Sequence, residues 1–113
     1  MKITAVETYL MHAGPTGPGP WAKRNWLFVK VRTDEGITGI GEASGWPRVV
    51  ETAIKDLTPI LVGEDPALVE RLWQKMFLAV TSHGMTGIVG SGAITGIEMA
   101  LWDIIGKALG VPL

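Results

Sequence analysis

The sequence predicts an α+β domain: a three-stranded antiparallel meander followed by a bundle of three to four helices. Three observations carry this reading. The first third of the 113 residues is rich in Thr, Val, Tyr and Ile, side chains that suit a pleated, half-buried surface. Trp26 to Thr33 alternates strictly, with Leu27, Val29 and Val31 on one side and Phe28, Lys30 and Arg32 on the other. From Pro47 onward the apolar residues recur at helical rather than strand spacing.

Taken in order, Lys2 to Met11 reads as the first strand and Trp26 to Thr33 as the second. Thr33-Asp34-Glu35-Gly36 is a hairpin turn, because Gly36 can take the left-handed conformation that closes it. Ile37 to Ala43 returns as the third strand. Its Gly39 and Gly41 lie two apart and leave one face bare, which predicts close approach of another backbone or a packed helix. Between the first two strands, Ala13 to Pro20 reads AGPTGPGP. This connection exceeds the usual two to five residues of a hairpin. It ends in Trp21, an aromatic with little reason to sit in solvent, so it reads as a lid.

Pro47 suits a first helical turn, and Val49, Val50, Ala53, Ile54 and Leu57 follow as an apolar stripe. Thr58-Pro59 is expected to interrupt that helix, leaving Ile60 to Val62 as a connector to Gly63. Asp65 is then a candidate N-cap and Pro66 a first-turn residue. Leu68, Val69, Leu72, Trp73, Met76 and Phe77 form the inward face of the second helix; Glu70, Arg71, Gln74 and Lys75 form the outward one. Ser82 to Gly92 holds four Gly and reads as a loop. The last helix runs from about Gly92 to Leu109, apolar over more than half its circumference, with Asp103 and Lys107 as an i,i+4 pair.

Composition excludes several functions. Charged residues are 19% of the chain, against about 25% in ordinary domains. Apolar residues and the 15 Gly together exceed half of it, against about 45–50%. The excess predicts surface that something else covers. With no Cys there is no disulfide framework, Cys-ligated zinc site or thiol nucleophile. A net charge of −1 lacks the basic footprint of a nucleic-acid binder. No charged segment followed by an apolar run opens the chain, so no secretory signal is read. The longest apolar stretch, Ile88 to Ile105, carries Glu98 and Asp103 in its span, which argues against a membrane helix. The expected location is cytoplasmic.

No catalytic or metal-binding constellation emerges from the residues. Glu98 and Asp103 are five apart, about 500° round a helix, and so not on one face. Glu64 and Asp65 flank a helix start and read as capping groups. Glu42 reads either as an ion-paired acid at a strand end or as a partly buried acid beside a binding site. His12 and His83 lie in or next to Gly-rich loops with no second ligand at metal spacing. The Gly39 to Gly45 and Gly87 to Gly92 stretches lack the Lys-Ser/Thr of a phosphate loop, and Ser44 has no nucleophile elbow. Trp26, Trp73 and Trp102 read as packing. Trp21 and Trp46, in two separate loops beside Gly and Pro, read as walls of a binding site.

At the last helix the sequence becomes recognisable. Ala93-Ile94-Thr95-Gly96-Ile97-Glu98-Met99-Ala100-Leu101-Trp102-Asp103-Ile104-Ile105-Gly106-Lys107, followed by Gly110-Val111-Pro112-Leu113, resembles the end of the N-terminal capping domain of the mandelate racemase/muconate lactonising enzyme family, within the enolase superfamily. Met1 to Thr4, Thr33 to Gly36 with Gly39 to Ala43, and Gly63 to Pro66 before Leu72-Trp73 resemble the family's opening strand, second hairpin and connector.

The resemblance implies an enolase-type capping domain over residues 1–113, with a catalytic (β/α) barrel of about 250 residues expected beyond Leu113. In such enzymes a base abstracts the proton α to a carboxylate while Mg²⁺ stabilises the enediolate. The metal ligands and acid/base residues belong to the barrel, so no catalytic residue and no metal ligand is assigned to this chain. What transfers is a lid role for the loops after the first and third strands. Trp21, Lys23, Arg24, Trp46 and Arg48 are the side chains suited to close over an anionic substrate. The implied partners are that barrel, a small carboxylate substrate and further copies of the protein, with no nucleic acid and no membrane. The phrasing of Gly63 to Phe77 resembles the acid-sugar dehydratases. A racemase or epimerase of the same family and a free-standing self-associating binding module are the alternatives.

Overall fold

A computed structural model describes residues 1–12, 25–84 and 87–113. The elements run β1 (Ile3–His12), β2 (Asn25–Thr33), β3 (Thr38–Ala43), α1 (Pro47–Leu61), α2 (Val69–Ser82) and α3 (Ile88–Leu109). The strands form one antiparallel sheet in the order β1-β2-β3. The expected meander and the helices after it are therefore observed. Gly36 closes the β2–β3 turn at φ 78°, in the left-handed region. The alternation in β2 holds: Leu27, Val29 and Val31 are fully buried against the helices, and the other parity faces outward.

The two glycines of β3 act as the sequence predicts. α3 crosses the strand so closely that a Cβ at Gly39 would overlap the Ala100 carbonyl oxygen and lie 2.7 Å from Ile104 Cγ1. One at Gly41 would overlap the Gly96 carbonyl. Two residues of strand advance about 6.8 Å and four of helix about 6 Å. The pairs Gly39–Ala100 and Gly41–Gly96 therefore stay in step. The same approach brings polar groups of α3 onto the open edge of β3. Asp103 Oδ2 accepts from the Ile40 N–H at 2.9 Å. Lys107 Nζ donates to the Thr38 carbonyl at 2.7 Å. The Glu42 N–H points at Met99 Sδ, 3.4 Å away. A bare strand edge is a template for unwanted pairing, and here a helix covers it.

The core lies between the sheet and the helices: Leu27, Val29 and Val31 from β2; Val50, Ile54, Leu57 and Leu61 from α1; Leu72 and Met76 from α2; Ile97, Leu101 and Ile104 from α3. α3 is long and apolar enough to cross a membrane, but half of its apolar stretch is buried among these elements. The domain itself accounts for its hydrophobicity.

Four expectations need correction. α1 continues through Pro59 to Leu61. Pro59 lies in its last turn on the exposed side, and Lys55, whose carbonyl the ring deprives of its helical partner, is exposed as well. Thr58 Oγ1 reinforces the turn by donating to the Ile54 carbonyl at 2.9 Å. α2 begins at Val69, so Asp65 is not its cap. Asp65 Oδ1 instead accepts from the Ala67 N–H at 2.9 Å, a side-chain turn before the helix. α3 begins at Ile88, four residues before the expected start. Gly92 lies inside the helix, and this position requires glycine because a Cβ there would overlap the Ser44 carbonyl oxygen. Close packing thus outweighs the poor helix propensity of Gly. Finally, Trp26, Trp73, Phe77 and Trp102 are partly exposed rather than packed inside.

Candidate functional site

The end of the sheet that carries His12, Asn25 and Ala43 gathers the connections. His12 and Asn25 are paired neighbours there. Residues 44–46 leave from Ala43, whose partner is Leu27. α3 starts at the same end, since its Gly92 and Gly96 lie against Ser44 and Ala43. At Gly45 the backbone runs at φ 103°, and a Cβ there would sit 3.2 Å from Ile88 Cγ1. The Ser44–Trp46 turn is therefore seated on the first turns of α3.

Of the five lid candidates, Trp46 and Arg48 are described. Trp46 is the residue preceding α1 and is 69% exposed. Arg48 lies in the first turn of that helix and is also exposed. Trp21, Lys23 and Arg24 lie outside the described residues. Glu42 is exposed and has no ion-pair partner among the described residues, so neither reading of it at the sequence level is seen. His12 is exposed at the end of β1. His83 closes α2, its Nδ1 2.8 Å from the Ala79 carbonyl.

A second feature lies on the helix layer. Trp73 and Phe77 stack with ring centroids 5.0 Å apart and line a groove of about 250 Å³ with Val80, Ser91, Ile94 and Thr95. Thr95 also opens a neighbouring hollow bounded by Glu98, Met99, Trp102 and Leu113. Trp102 is 47% exposed and Trp73 37%. This is the apolar surface that the composition predicts. The residues that form it were not evident as a site, because periodicity alone reads Trp73 and Trp102 as interior.

Charged groups hold the frame rather than a reactive centre. Burial raises the Asp103 carboxyl, but the Lys107 ammonium 2.9 Å away and the Ile40 N–H outweigh it, leaving the group below the usual range. The hydrogen bond from Lys75 dominates at Glu64 and lowers its carboxyl against some desolvation, with Arg71 adding to the pull. The Glu64 carbonyl also accepts from the Ile3 N–H at 2.8 Å, tying the start of β1 to the α1–α2 connection. The Arg32 guanidinium and Tyr9 hydroxyl lower Glu7 on the outer sheet face. Among the described residues, no three His, Asp or Glu side chains come together as metal ligands.

A small sheet covered on one face by three helices, with an exposed apolar face on the helix layer, is the α+β arrangement of a capping domain. Residues 5–113 match the family described as mandelate racemase / muconate lactonizing enzyme, N-terminal domain, and the chain belongs to that family. It is 50% identical over its whole length to the D-galactonate dehydratase of Xanthomonas campestris pv. campestris (strain B100), of which it covers 27%. It superposes on the 3,6-anhydro-D-galactonate cycloisomerase of Zobellia galactanivorans with a TM-score of 0.84 and 33% identity, over 96% of this chain and 29% of that one. An isomerase from Streptomyces coelicolor A3(2) superposes with a TM-score of 0.80 and 30% identity, over 97% and 29%. The chain thus spans about a quarter of the length of the curated relatives it matches.

Proposed function

We propose that this domain is the substrate-closing cap of a cytoplasmic acid-sugar (aldonate or aldarate) dehydratase, whose catalytic barrel follows Leu113 in the same polypeptide. The observation that supports the capping role is that His12, Asn25 and Ala43 lie at one end of the sheet, where Trp46 stands exposed ahead of α1. The acid-sugar class is supported by the 50% identity to proteins named D-galactonate dehydratase.

In this reading the chain's own residues bind and enclose. Arg48, with Lys23 and Arg24, meets the substrate carboxylate, because a guanidinium pairs with it bidentately. Trp46 and Trp21 exclude water above it, which strengthens every charge interaction below. Dehydration removes the C2 proton and the C3 hydroxyl group and leaves an enol that becomes a 2-keto-3-deoxy acid. A Mg²⁺ ion would belong to the barrel, where it would supply charge stabilisation to the substrate carboxylate. The described residues of this chain do not fit a Mg²⁺ site. The isomerase and cycloisomerase among the structural relatives favour a second reading, racemisation or epimerisation at C2, since loss of the same proton starts both.

The test incubates the polypeptide continuing beyond Leu113 with a panel of aldonates and aldarates and Mg²⁺ in D₂O. A 2-keto-3-deoxy acid product supports dehydration. Deuterium at C2 without a keto acid supports the second reading. Neither product from any acid sugar refutes both. Trp46→Ala and Arg48→Ala are each expected to lower kcat/KM at least about tenfold, or about 1.4 kcal/mol, while leaving the melting temperature unchanged.

A further inference from the structure

Gly92 stands in the second turn of α3, where Ala would be the better helix former. What it faces is the connection between β3 and α1. A Cβ at Gly92 would lie 2.4 Å from the Ser44 carbonyl oxygen, whereas ordinary contact begins near 3.4 Å. The next residue, Gly45, runs at φ 103°, and a Cβ there would lie 3.2 Å from Ile88 Cγ1 in the first turn of α3. The Val50 Cγ2 methyl would stand 3.6 Å from either added atom. The Trp46 carbonyl accepts from the Val50 N–H at 2.8 Å, the first bond of α1. Ser44 to Trp46 is thus seated by backbone contacts between the starts of two helices. Trp46 itself is 69% exposed, so little packing of its own fixes the ring, and its place is set by the backbone beneath it.

A methyl group at Gly92 would force one side to yield, and the two sides are unequal. The atom in the way is backbone, so no rotamer relieves the overlap. α3 is 22 residues long. It is anchored to β3 by the bonds from Asp103 to Ile40 and from Lys107 to Thr38, and by the close contacts at Gly39 and Gly41. Ser44 to Trp46 belongs to no helix or strand. The connection is therefore the side that yields, and the Ser44 carbonyl moves away from α3 by about 1 Å in this close-packed setting.

We propose that Gly92 is a positioning residue for substrate binding: through the Ser44 carbonyl, α3 sets where Trp46 and Arg48 stand over the substrate. This rests on the capping role proposed above. Gly92 touches no substrate and acts only through the Ser44–Trp46 connection, with Gly45 as the other half of the seat. Gly39 and Gly41 differ, because they meet the backbone of α3 itself and serve the packing of helix on strand. Gly92 meets the one connection that leads to Trp46. An ångström of misplacement far from the chemistry can cost up to about 100-fold, so the contact bears on affinity as well as on stability.

The test uses the polypeptide continuing beyond Leu113, labelled with fluorotryptophan. Its Trp46 fluorine NMR line is the one that Trp46→Phe removes. Gly92→Ala should shift that line and raise KM for the acid sugar turned over at least about tenfold, with kcat held within about threefold. Leu72→Ala, which empties a buried position in α2, should lower the melting temperature and leave both the Trp46 line and KM unchanged. In a Trp46→Ala background, Gly92→Ala should raise KM by a smaller factor than in wild type, because residues that act through one another are not additive. Gly45→Ala strains the same connection from its other side and should also shift the line; it serves alone if Gly92→Ala does not fold. The proposal is overturned by a folded Gly92→Ala or Gly45→Ala polypeptide with an unmoved Trp46 line, or by a shifted line with KM unchanged. If no acid sugar is turned over, the dehydratase reading falls, while the Trp46 line still decides whether Gly92 places the turn.

Discussion

Replacing Gly41 with Ala places a methyl group where α3 carries the Gly96 carbonyl. The added Cβ would overlap that oxygen and lie 3.0 Å from the Ala100 nitrogen. Both are backbone atoms of a long helix, so no side chain can rotate away, and α3 must retreat by roughly an ångström in a close-packed interior. Such overpacking costs about 1–3 kcal/mol. Retreat also stretches the bonds from Asp103 and Lys107 to the β3 edge, each worth about 1 kcal/mol. The expected loss is about 3–5 kcal/mol, a large part of the 5–15 kcal/mol typical of a domain. Gly36→Ala is the control: it has open space but a φ of 78°, and should cost about 1 kcal/mol. Urea denaturation followed by circular dichroism measures both. A Gly41→Ala chain within about 0.5 kcal/mol of wild type, or less affected than Gly36→Ala, would refute the argument that bare glycines let α3 seat on the strand.

Further outcomes follow from the same structure. Asp103 is held below the ordinary carboxylate range, so its folded-state pKa is lower than its unfolded value of about 3.9. Its contribution is therefore present above about pH 4 and lost as pH falls through the folded value. Asp103→Asn should lose about 1–2 kcal/mol at pH 7, and the difference from wild type should shrink in acid, read as melting temperature against pH. Leu72→Ala empties a fully buried position and should cost about 2–5 kcal/mol in denaturant titration. Pro59→Ala should change stability by less than about 1 kcal/mol, because the ring sits exposed in the last turn of α1. A loss near the ~3 kcal/mol scale of interior proline effects would show that this turn is more constrained than described.

Much of the fold is legible because it rests on local pattern. The period-two alternation of Leu27, Val29 and Val31, the Gly36 turn and the spacing of Gly39 and Gly41 each report a nearby geometric demand. The family is legible from the run ending in Leu101-Trp102-Asp103. What escapes is non-local. Asp103 and Lys107 read as a helix pair, and nothing in sequence shows that both reach a strand more than sixty residues away. Gly90 and Gly92 read as loop because propensity disfavours Gly in helices, whereas both lie in α3, and at Gly92 only the lack of a Cβ clears the Ser44 carbonyl. Trp73 and Trp102 lie on apolar faces that periodicity identifies, but periodicity does not say whether a neighbour covers them. Of the site, Trp46 stands exposed just before α1 and Arg48 lies in that helix's first turn rather than in the loop, whereas Trp21, Lys23 and Arg24 fall outside the described residues.

The account turns on the outer face of α3 and the adjoining groove being contact surface for the rest of a longer polypeptide. Hydroxyl-radical footprinting of Trp73, Phe77, Met99 and Trp102 reads this directly, comparing the 113-residue chain with the polypeptide that continues beyond Leu113. The prediction is that these side chains, all partly exposed here, become protected in the longer polypeptide while exposed Leu78 and Val62 do not. Equal labelling in both would contradict the claim that this domain is a cap.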